Sequence, residues 1–421
     1  MIAPSNQEFA GVSNPIPQPA AAKRIALFVR ALDGGVGRRF FTLAEAFSKR
    51  GYRVDVLVLQ TKGPYLKELP AAVHTVILNV SSVLRTLPVL LRLPGNTLKL
   101  FPFKLLFDPP AMIKALPALK YYMRKEKPDV LLAAIEDAGI VTLWARWLTG
   151  VNTRVVVQNV ATFSKQIIKN ATKLFECLLP LLIQHWYPRA DSITTVSNGA
   201  ADDLAYTAGI PRERITTIYN PVDLNHIVKL AALMPDDPWL LPNQPPVLLA
   251  VGRLDVEKDF PTLLRAFAQL RKERELRLII LGEGKQRVML ETLCNNLEIA
   301  KDVRMPGFVS NPYAYMARAA VLVLSSAWEG FPNVLLEAMA CGCPVVSTNC
   351  PGGVYELLAG GIYGQLVPVG NFSTLAQAIL ETLDTPCDSE KLRQRARMFS
   401  LDTIVDQYLQ ILLGRDTTTT S

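Results

Sequence analysis

Trp328-Glu329-Gly330-Phe331-Pro332-Asn333-Val334-Leu335-Leu336-Glu337 is the stretch from which the rest of the chain can be read. It carries two carboxylates eight positions apart, with Gly330 and Pro332 between them. Pro332 fits the first turn of a helix, where an N–H has no partner to lose. NVLLEAMA, after it, is a good helix former. VLVLSSA, before it, reads as a buried strand. The expected geometry is strand, glycine-containing loop, helix N-terminus, which presents backbone amides and a positive dipole end to an anion. Glu329 would stand in the loop at the mouth, and Glu337 one to two turns into the helix. A diphosphate flanked by two polyols, as in a sugar nucleotide, would satisfy the amides and both carboxylates.

The same punctuation recurs on both sides. VLLAVG (247–252) starts an alternation: strand 277–281, helix 285–297, strand 303–305, helix 311–318, strand 321–324, helix 332–341 and strand 344–347. Nearer the start, IALFV (25–29) precedes Asp33-Gly34-Gly35-Val36-Gly37, a helical pattern closed by Gly51, and VDVLVL (54–59). Strands near 130–134, 154–158 and 193–196 follow, with helices near 138–149 and from 199. Six prolines in 221–246 mark a linker. The fold class is α/β, with two Rossmann-like domains facing a central cleft at the strand carboxyl ends. The divisions are a disordered leader 1–22, an N-terminal acceptor domain 23–222, a linker 223–246, a C-terminal donor domain 247–396, a helix 397–413 packing back toward the first domain, and a disordered tail 414–421.

The 421 residues are 50% hydrophobic, enough for two sizeable cores. The six cysteines form no CxxC pair and the three histidines are scattered, so no metal site is expected and the thiols read as free, in a reducing cytoplasm. No run of apolar residues is long enough to span a bilayer. The net charge of +8 is uneven: 28 Lys and Arg against 18 Asp and Glu up to residue 240, then 17 against 19. The basic part suits an anionic partner such as a phospholipid surface, or is a solvated face. Nucleic acid has only bulk charge in its favour.

Gly252-Arg253-Leu254-Asp255-Val256-Glu257-Lys258 follows the first strand of the second domain. Arg253 offers a planar fork to phosphate and Lys258 a compact charge, unless both are simply solvated. Gly282-Glu283-Gly284 caps the next strand as a second ligand-facing turn or an ordinary one. Gly34 and Gly35 would let backbone approach a diphosphate, or make a tight turn. Neither glycine loop spells GxGxxG with a suitable acid downstream, which disfavours a nicotinamide enzyme.

GRLDVEKDFPTLLRAFAQL (252–270), LIILGEGKQR (278–287), VRMPGFVSN (303–311) and the segment 325–358 together resemble the retaining glycosyltransferases of family 4, with the GT-B fold. Segments 33–56 and 194–223 are similar to that family's glycine loop and pre-linker segment, so the resemblance runs over roughly 23–412. It implies that Arg253 and Lys258 bind the donor diphosphate, with Gly34, Gly35, Gly252, Gly282, Glu283 and Gly284 around it. It implies that Glu337 holds the ribose, that Glu329 contacts the transferred sugar, and that Gly330, Phe331, Pro332, Asn333, Val334 and Leu335 line the donor through main chain. Phe308 and Val309 would border the base. Glu329, Arg253 and Lys258 would carry catalysis, with retention by same-face attack and no metal or other cofactor. A UDP-sugar is the favoured donor, GDP- or ADP-sugars the alternatives. The chain departs from the family where RVVVQNVATFS (154–164) has Gln158 and Asn159 in place of a histidine near the transferred sugar. Asn159 could bond a sugar hydroxyl or merely cap a loop. Asp137, in IEDAG, is the second acceptor or sugar candidate.

Residues 83–125 hold eight basic residues and one acid, Asp108, among Leu, Phe and Val, and Pro88, Pro94, Pro102, Pro109 and Pro110 forbid one long helix. They read as short amphipathic pieces dipping into an anionic membrane surface, or as a lid or helical pair on the first domain. Residues 174–186 read as a buried helix, and Asp202-Asp203 and Asp236-Asp237 as solvated surface. The expected activity is transfer of a sugar from a nucleotide donor to a glycan, polysaccharide or lipid-linked acceptor, in the cytoplasm or at the inner face of the plasma membrane. The alternatives are a sugar-nucleotide epimerase or hydrolase, and a catalytically silent sugar-nucleotide-binding partner.

Overall fold

The computed structural model describes residues 23–100 and 102–414. The expected leader, and the tail beyond 414, lie outside the described residues. The first sheet holds β1 (Arg24–Val29), β2 (Arg53–Val58), β3 (Val73–Ile77), β4 (Val130–Ala134), β5 (Arg154–Asn159), β6 (Ser192–Thr195) and β7 (Ile215–Thr217), in the order β3-β2-β1-β4-β5-β6-β7. The second holds β8 (Val247–Val251), β9 (Arg277–Leu281), β10 (Val303–Gly307), β11 (Val321–Leu324), β12 (Val345–Thr348) and β13 (Gln365–Val367), in the order β10-β9-β8-β11-β12-β13. Every pairing is parallel.

Helices cover both faces, which is why central strands such as VLLAA in β4 and VLVL in β11 are unbroken apolar runs with no exposed side. In each sheet the strand order reverses beside the first strand, between β1 and β4 and between β8 and β11. The crevice at such a reversal is where α/β sheets take ligands. Both glycine loops, after β1 and after β8, open there.

The linker region carries structure of its own. Asp223 caps a helix at Leu224–Ala231, its side chain accepting from the His226 amide at 3.0 Å, and Ile227 is buried in the second core. Asp237 is buried, contrary to its reading as solvated surface: it accepts from Trp239 N at 3.0 Å and Arg304 at 2.9 Å, and Arg304 stacks over the Trp239 ring. Asp203 also departs from that reading, taking bonds from the amide and hydroxyl of Ser164.

The helix Leu401–Leu413 returns to the first sheet. Ile404, Val405, Tyr408, Leu409 and Leu412 join the core that contains Ile25, Leu27, Val56 and Leu132. The Tyr408 hydroxyl accepts from Gln158 Nε2 at 2.8 Å, and Arg50 pairs with Asp402 and Asp406. Residues 83–126 form five short helices (Val83–Leu90, Gly95–Leu98, Phe103–Phe107, Ala111–Lys114 and Leu116–Glu126) whose Leu90, Met112, Ile113, Leu116 and Leu119, with Leu93 between the first two, are buried on the first domain. Leu84, Leu91 and Phe107 point outward. The helix Leu174–Trp186 buries Phe175, Leu179, Leu182, Ile183 and Trp186. Among the described residues no helix is long and apolar enough to cross a membrane.

Candidate active site

The loop leaving β8 and the loop leaving β11 meet directly. Lys258, at the end of a single 3-10 turn (Val256–Lys258), puts Nζ 2.6 Å from Glu329 Oε1, and the Ser326 hydroxyl donates to the same oxygen at 2.6 Å. Ser325 Oγ bonds the Lys258 carbonyl at 2.8 Å, fixing the two loops to each other. Arg253, earlier in the same loop, is largely exposed and reaches Glu257 Oε1 at 3.0 Å. The other Glu257 oxygen takes Lys169 of the first domain at 2.7 Å. Burial works to raise the Glu257 carboxyl, but Lys169 and Arg253 outweigh it and hold it below the usual range.

Gly282 and Gly284 serve the close approach of two loops. A Cβ at either would collide with the backbone of Gly252 or Leu254, and Leu254 N donates to the Glu283 carbonyl at 2.9 Å. The Glu283 side chain pairs with Arg287 at 2.5 Å. Phe308 stands exposed after Gly307, with Val309 partly buried against the second core.

The key helix spans Asn333–Cys341, so Pro332 precedes its first turn instead of occupying it. Pro332 has no N–H, and the amides of Asn333 and Leu335 bond back to the carbonyls of Phe331 and Pro332 at 3.0 Å each. Fewer amides of 331–335 are therefore open to an anion than the sequence suggests. Glu337, on this helix, meets Arg38 of the first domain at 3.0 Å, and the Arg38 guanidinium lies 5.5 Å from the Tyr313 ring centre. Burial raises the Glu337 carboxyl, and Arg38 opposes that rise.

Opposite stand the strand ends of the first sheet. Gly34, at φ +55°, and Gly35 open the helix Gly34–Lys49, and a Cβ on either would meet nothing within 4 Å. The space beside both is open, so neither glycine is required by a neighbouring atom. After β5, Val160 and Ala161 press on Gly330 so closely that no Cβ fits there, and Thr162 Oγ1 donates to the Glu329 carbonyl at 2.6 Å. Ser197 Oγ donates to Gly330 O at 2.8 Å, and Asn220 Nδ2 to Asn333 Oδ1 at 2.7 Å. The loop that carries Glu329 is thus set by both domains.

Asp137 is buried, taking Arg30 at 2.5 Å and the Ala138 amide at 2.8 Å. Asn159 is fully buried and bonds the neighbouring acid, its Nδ2 donating to Glu136 Oε1 at 2.7 Å. Its Oδ1 accepts from the Ala161 amide at 3.1 Å, so it does cap the loop. Arg38, Lys169, Glu257, Ser326, Thr162 and Glu136 were not singled out from sequence. A first-turn position beside Asp137 was the available signal for Glu136. The pairs Arg38–Glu337 and Lys169–Glu257 cross between domains and leave no local signature. Among the described residues no group of three His, Cys, Asp or Glu side chains is placed to hold a metal ion.

Family models match both halves of the chain. Residues 236–399 match the group 1 glycosyl transferases, and residues 33–226 match glycosyltransferase family 4. An N-acetylgalactosamine-N,N'-diacetylbacillosaminyl-diphospho-undecaprenol 4-alpha-N-acetylgalactosaminyltransferase of Campylobacter jejuni is 34% identical over 308 residues, 70% of this chain and 80% of the relative. The chain belongs to the group 1, family 4 glycosyltransferases. The lipopolysaccharide core biosynthesis glycosyltransferase LpsE of Rhizobium meliloti is 28% identical over 302 residues, covering 70% of this chain and 79% of that one. In fold, the glycosyltransferase matches sucrose-phosphate synthase of Thermosynechococcus elongatus with a TM-score of 0.73 at 22% identity, over 93% of this chain and 98% of the other. It matches HepE of Anabaena, solved with UDP-glucose, with a TM-score of 0.72 at 21% identity, over 93% and 99%. The architecture is GT-B.

Proposed function

We propose that this glycosyltransferase moves a sugar, with retention at the anomeric carbon, from a UDP-sugar to a glycan or lipid-linked acceptor. The observation that carries the reading is the convergence of Lys258, Glu329 and Ser326 in one knot, with Arg253 on the same loop and Glu337 on the helix that follows Glu329. On donor binding Lys258 exchanges Glu329 for the diphosphate. Arg253 adds its fork, and the freed Glu329 accepts sugar hydroxyls. Charge that builds on the departing diphosphate is met by these two cations and by the helix N-terminus. Glu337 exchanges Arg38 for the ribose hydroxyls. The acceptor attacks from the face the diphosphate leaves, with no protein nucleophile. These groups supply the charge stabilisation themselves, so chelator treatment is expected to leave the rate unchanged.

HepE supports a UDP-sugar through its bound UDP-glucose, and the C. jejuni relative supports a diphospho-lipid acceptor through its name. The names of both sequence relatives describe glycosyl transfer, which does not favour the epimerase, hydrolase or silent-partner alternatives. We place the enzyme in the cytoplasm at the inner membrane face, with the helices of 83–126 against anionic headgroups. The test is release of UDP from UDP-glucose, UDP-galactose and UDP-N-acetylhexosamines, with undecaprenyl-diphosphate-linked sugars as acceptors. Lys258→Ala and Glu337→Ala are each expected to cut turnover by at least about 100-fold while the protein stays folded. Full turnover in both variants, or dependence on added divalent metal, would contradict this assignment.

A further inference from the structure

We propose that Glu136, held by Asn159, is the base that receives the acceptor's proton in this enzyme. The proposal rests on the transfer reading above and adds a residue and a proton route to it. Glu136 opens the helix Glu136–Thr149 at the carboxyl end of β4, beside the sheet's switch point. The residue before it, Ile135, is a β-branched side chain at φ +77°, a conformation that needs an external hold. That hold is partly the bond from Ile135 N to the Gln158 carbonyl at 3.0 Å. Asn159 fixes the Glu136 carboxylate at 2.7 Å, and two residues later Ala161 touches Gly330 while Thr162 bonds the Glu329 carbonyl. Asn159 and the short segment after it thus tie Glu136 to the loop that carries Glu329.

A second group faces the same helix turn. Tyr187 is fully buried, its hydroxyl has no partner among the described residues, and it lies 2.9 Å from where a Cβ on Gly139 would stand. The other charged groups around the turn are Asp137 on the same helix, Glu176 from the helix Leu174–Trp186, and Arg30 from the end of β1, which is committed to Asp137. Asp137 and Asn159 have their polar atoms engaged. Asn159 cannot take up a proton, which leaves Glu136 as the base among the three. Burial first, then Asp137 and Glu176, push the Glu136 carboxyl up to about 7. A base of that strength is matched to a hydroxyl attacking near neutral pH.

The step balances as follows. The acceptor hydroxyl oxygen bonds to the anomeric carbon as its proton passes to Glu136. The bond from the anomeric carbon to the diphosphate oxygen breaks, and its electron pair stays on UDP.

The test measures transfer from about pH 5.5 to 8.5 by wild type, Glu136→Gln and Glu136→Asp, with the donor and acceptor panel above and UDP binding followed separately by thermal shift. The wild-type rate is expected to rise through about pH 7 as Glu136 loses its proton, then level off. Glu136→Gln should bind UDP as wild type does, lose about 100-fold or more in transfer, and lose the acid limb. Glu136→Asp should keep the limb at a lower rate. Equal transfer with an unchanged limb in Glu136→Gln overturns the assignment, as does a flat wild-type profile, which needs no variant to fold. Failure of the wild type to bind UDP at all overturns the transfer reading itself, and this inference with it.

Discussion

At the scale of single residues, the site is crowded with cations resting on carboxylates that a donor would claim. Lys258 lies on Glu329, Arg38 on Glu337, and Lys169 and Arg253 on Glu257. Each pair neutralises an acid; under the proposed donor binding, ligand hydroxyls or phosphate would break it, and affinity would report an exchange of partners. Gly330 has no such alternative, because the Val160 carbonyl occupies the space of any Cβ. Gly330→Ala is expected to cost about 1–3 kcal/mol, seen as a lowered apparent Tm, and to displace Glu329. A drop in transfer well beyond the loss of UDP affinity would show that displacement; equal losses would assign the effect to donor binding alone. Glu329, Arg253 and Lys258 could be placed from sequence because each stands in a loop after a strand, and Glu337 because it lies on the helix that follows Glu329. Their present partners could not be, since Arg38 and Lys169 reach them from the other domain. Asp137 was the acid singled out from sequence; that its neighbour Glu136 is the one bonded to Asn159 at the end of β5 has no signature in two adjacent first-turn acids.

Among elements, the central strands and their helices were legible as unbroken apolar runs closed by glycine. The edge strands β3, β7 and β13 were not: they are short and partly exposed, and VHTVI or ITT carries little period. The helices Phe372–Asp384 and Ser389–Arg397 also went unread, the second because its surface is almost wholly charged. The helix Leu401–Leu413 shows how an element stabilises a domain remote in sequence. Tyr408 is buried and bonded to Gln158, so Tyr408→Ala should lower stability by about 3–5 kcal/mol, measured by denaturant unfolding. Tyr408→Phe keeps the ring and loses the bond alone, for about 1 kcal/mol. Similar losses in the two variants would show that packing of the ring is not what docks the helix.

The whole molecule divides its charge, with the basic excess in the first domain. Arg85, Arg92 and Lys104 are exposed near Leu84, Leu91 and Phe107, which suits contact with an anionic bilayer. Replacing Arg85 and Arg92 by Gln should weaken partitioning onto phosphatidylglycerol vesicles by about 2 kcal/mol, roughly 30-fold, as read by flotation at low salt. Wild type should bind less as salt rises and should ignore zwitterionic vesicles. Unchanged partitioning in the double variant would remove these helices from the contact. The return of the Leu401–Leu413 helix to the first sheet also bears on biosynthesis. Domains generally fold as they leave the ribosome, amino-terminal first. Here the first domain emerges with an apolar face whose cover is translated only after the whole second domain. Its maturation must wait for the second half of the chain, and two halves expressed from a cut in the linker should yield an amino-terminal piece that needs chaperones.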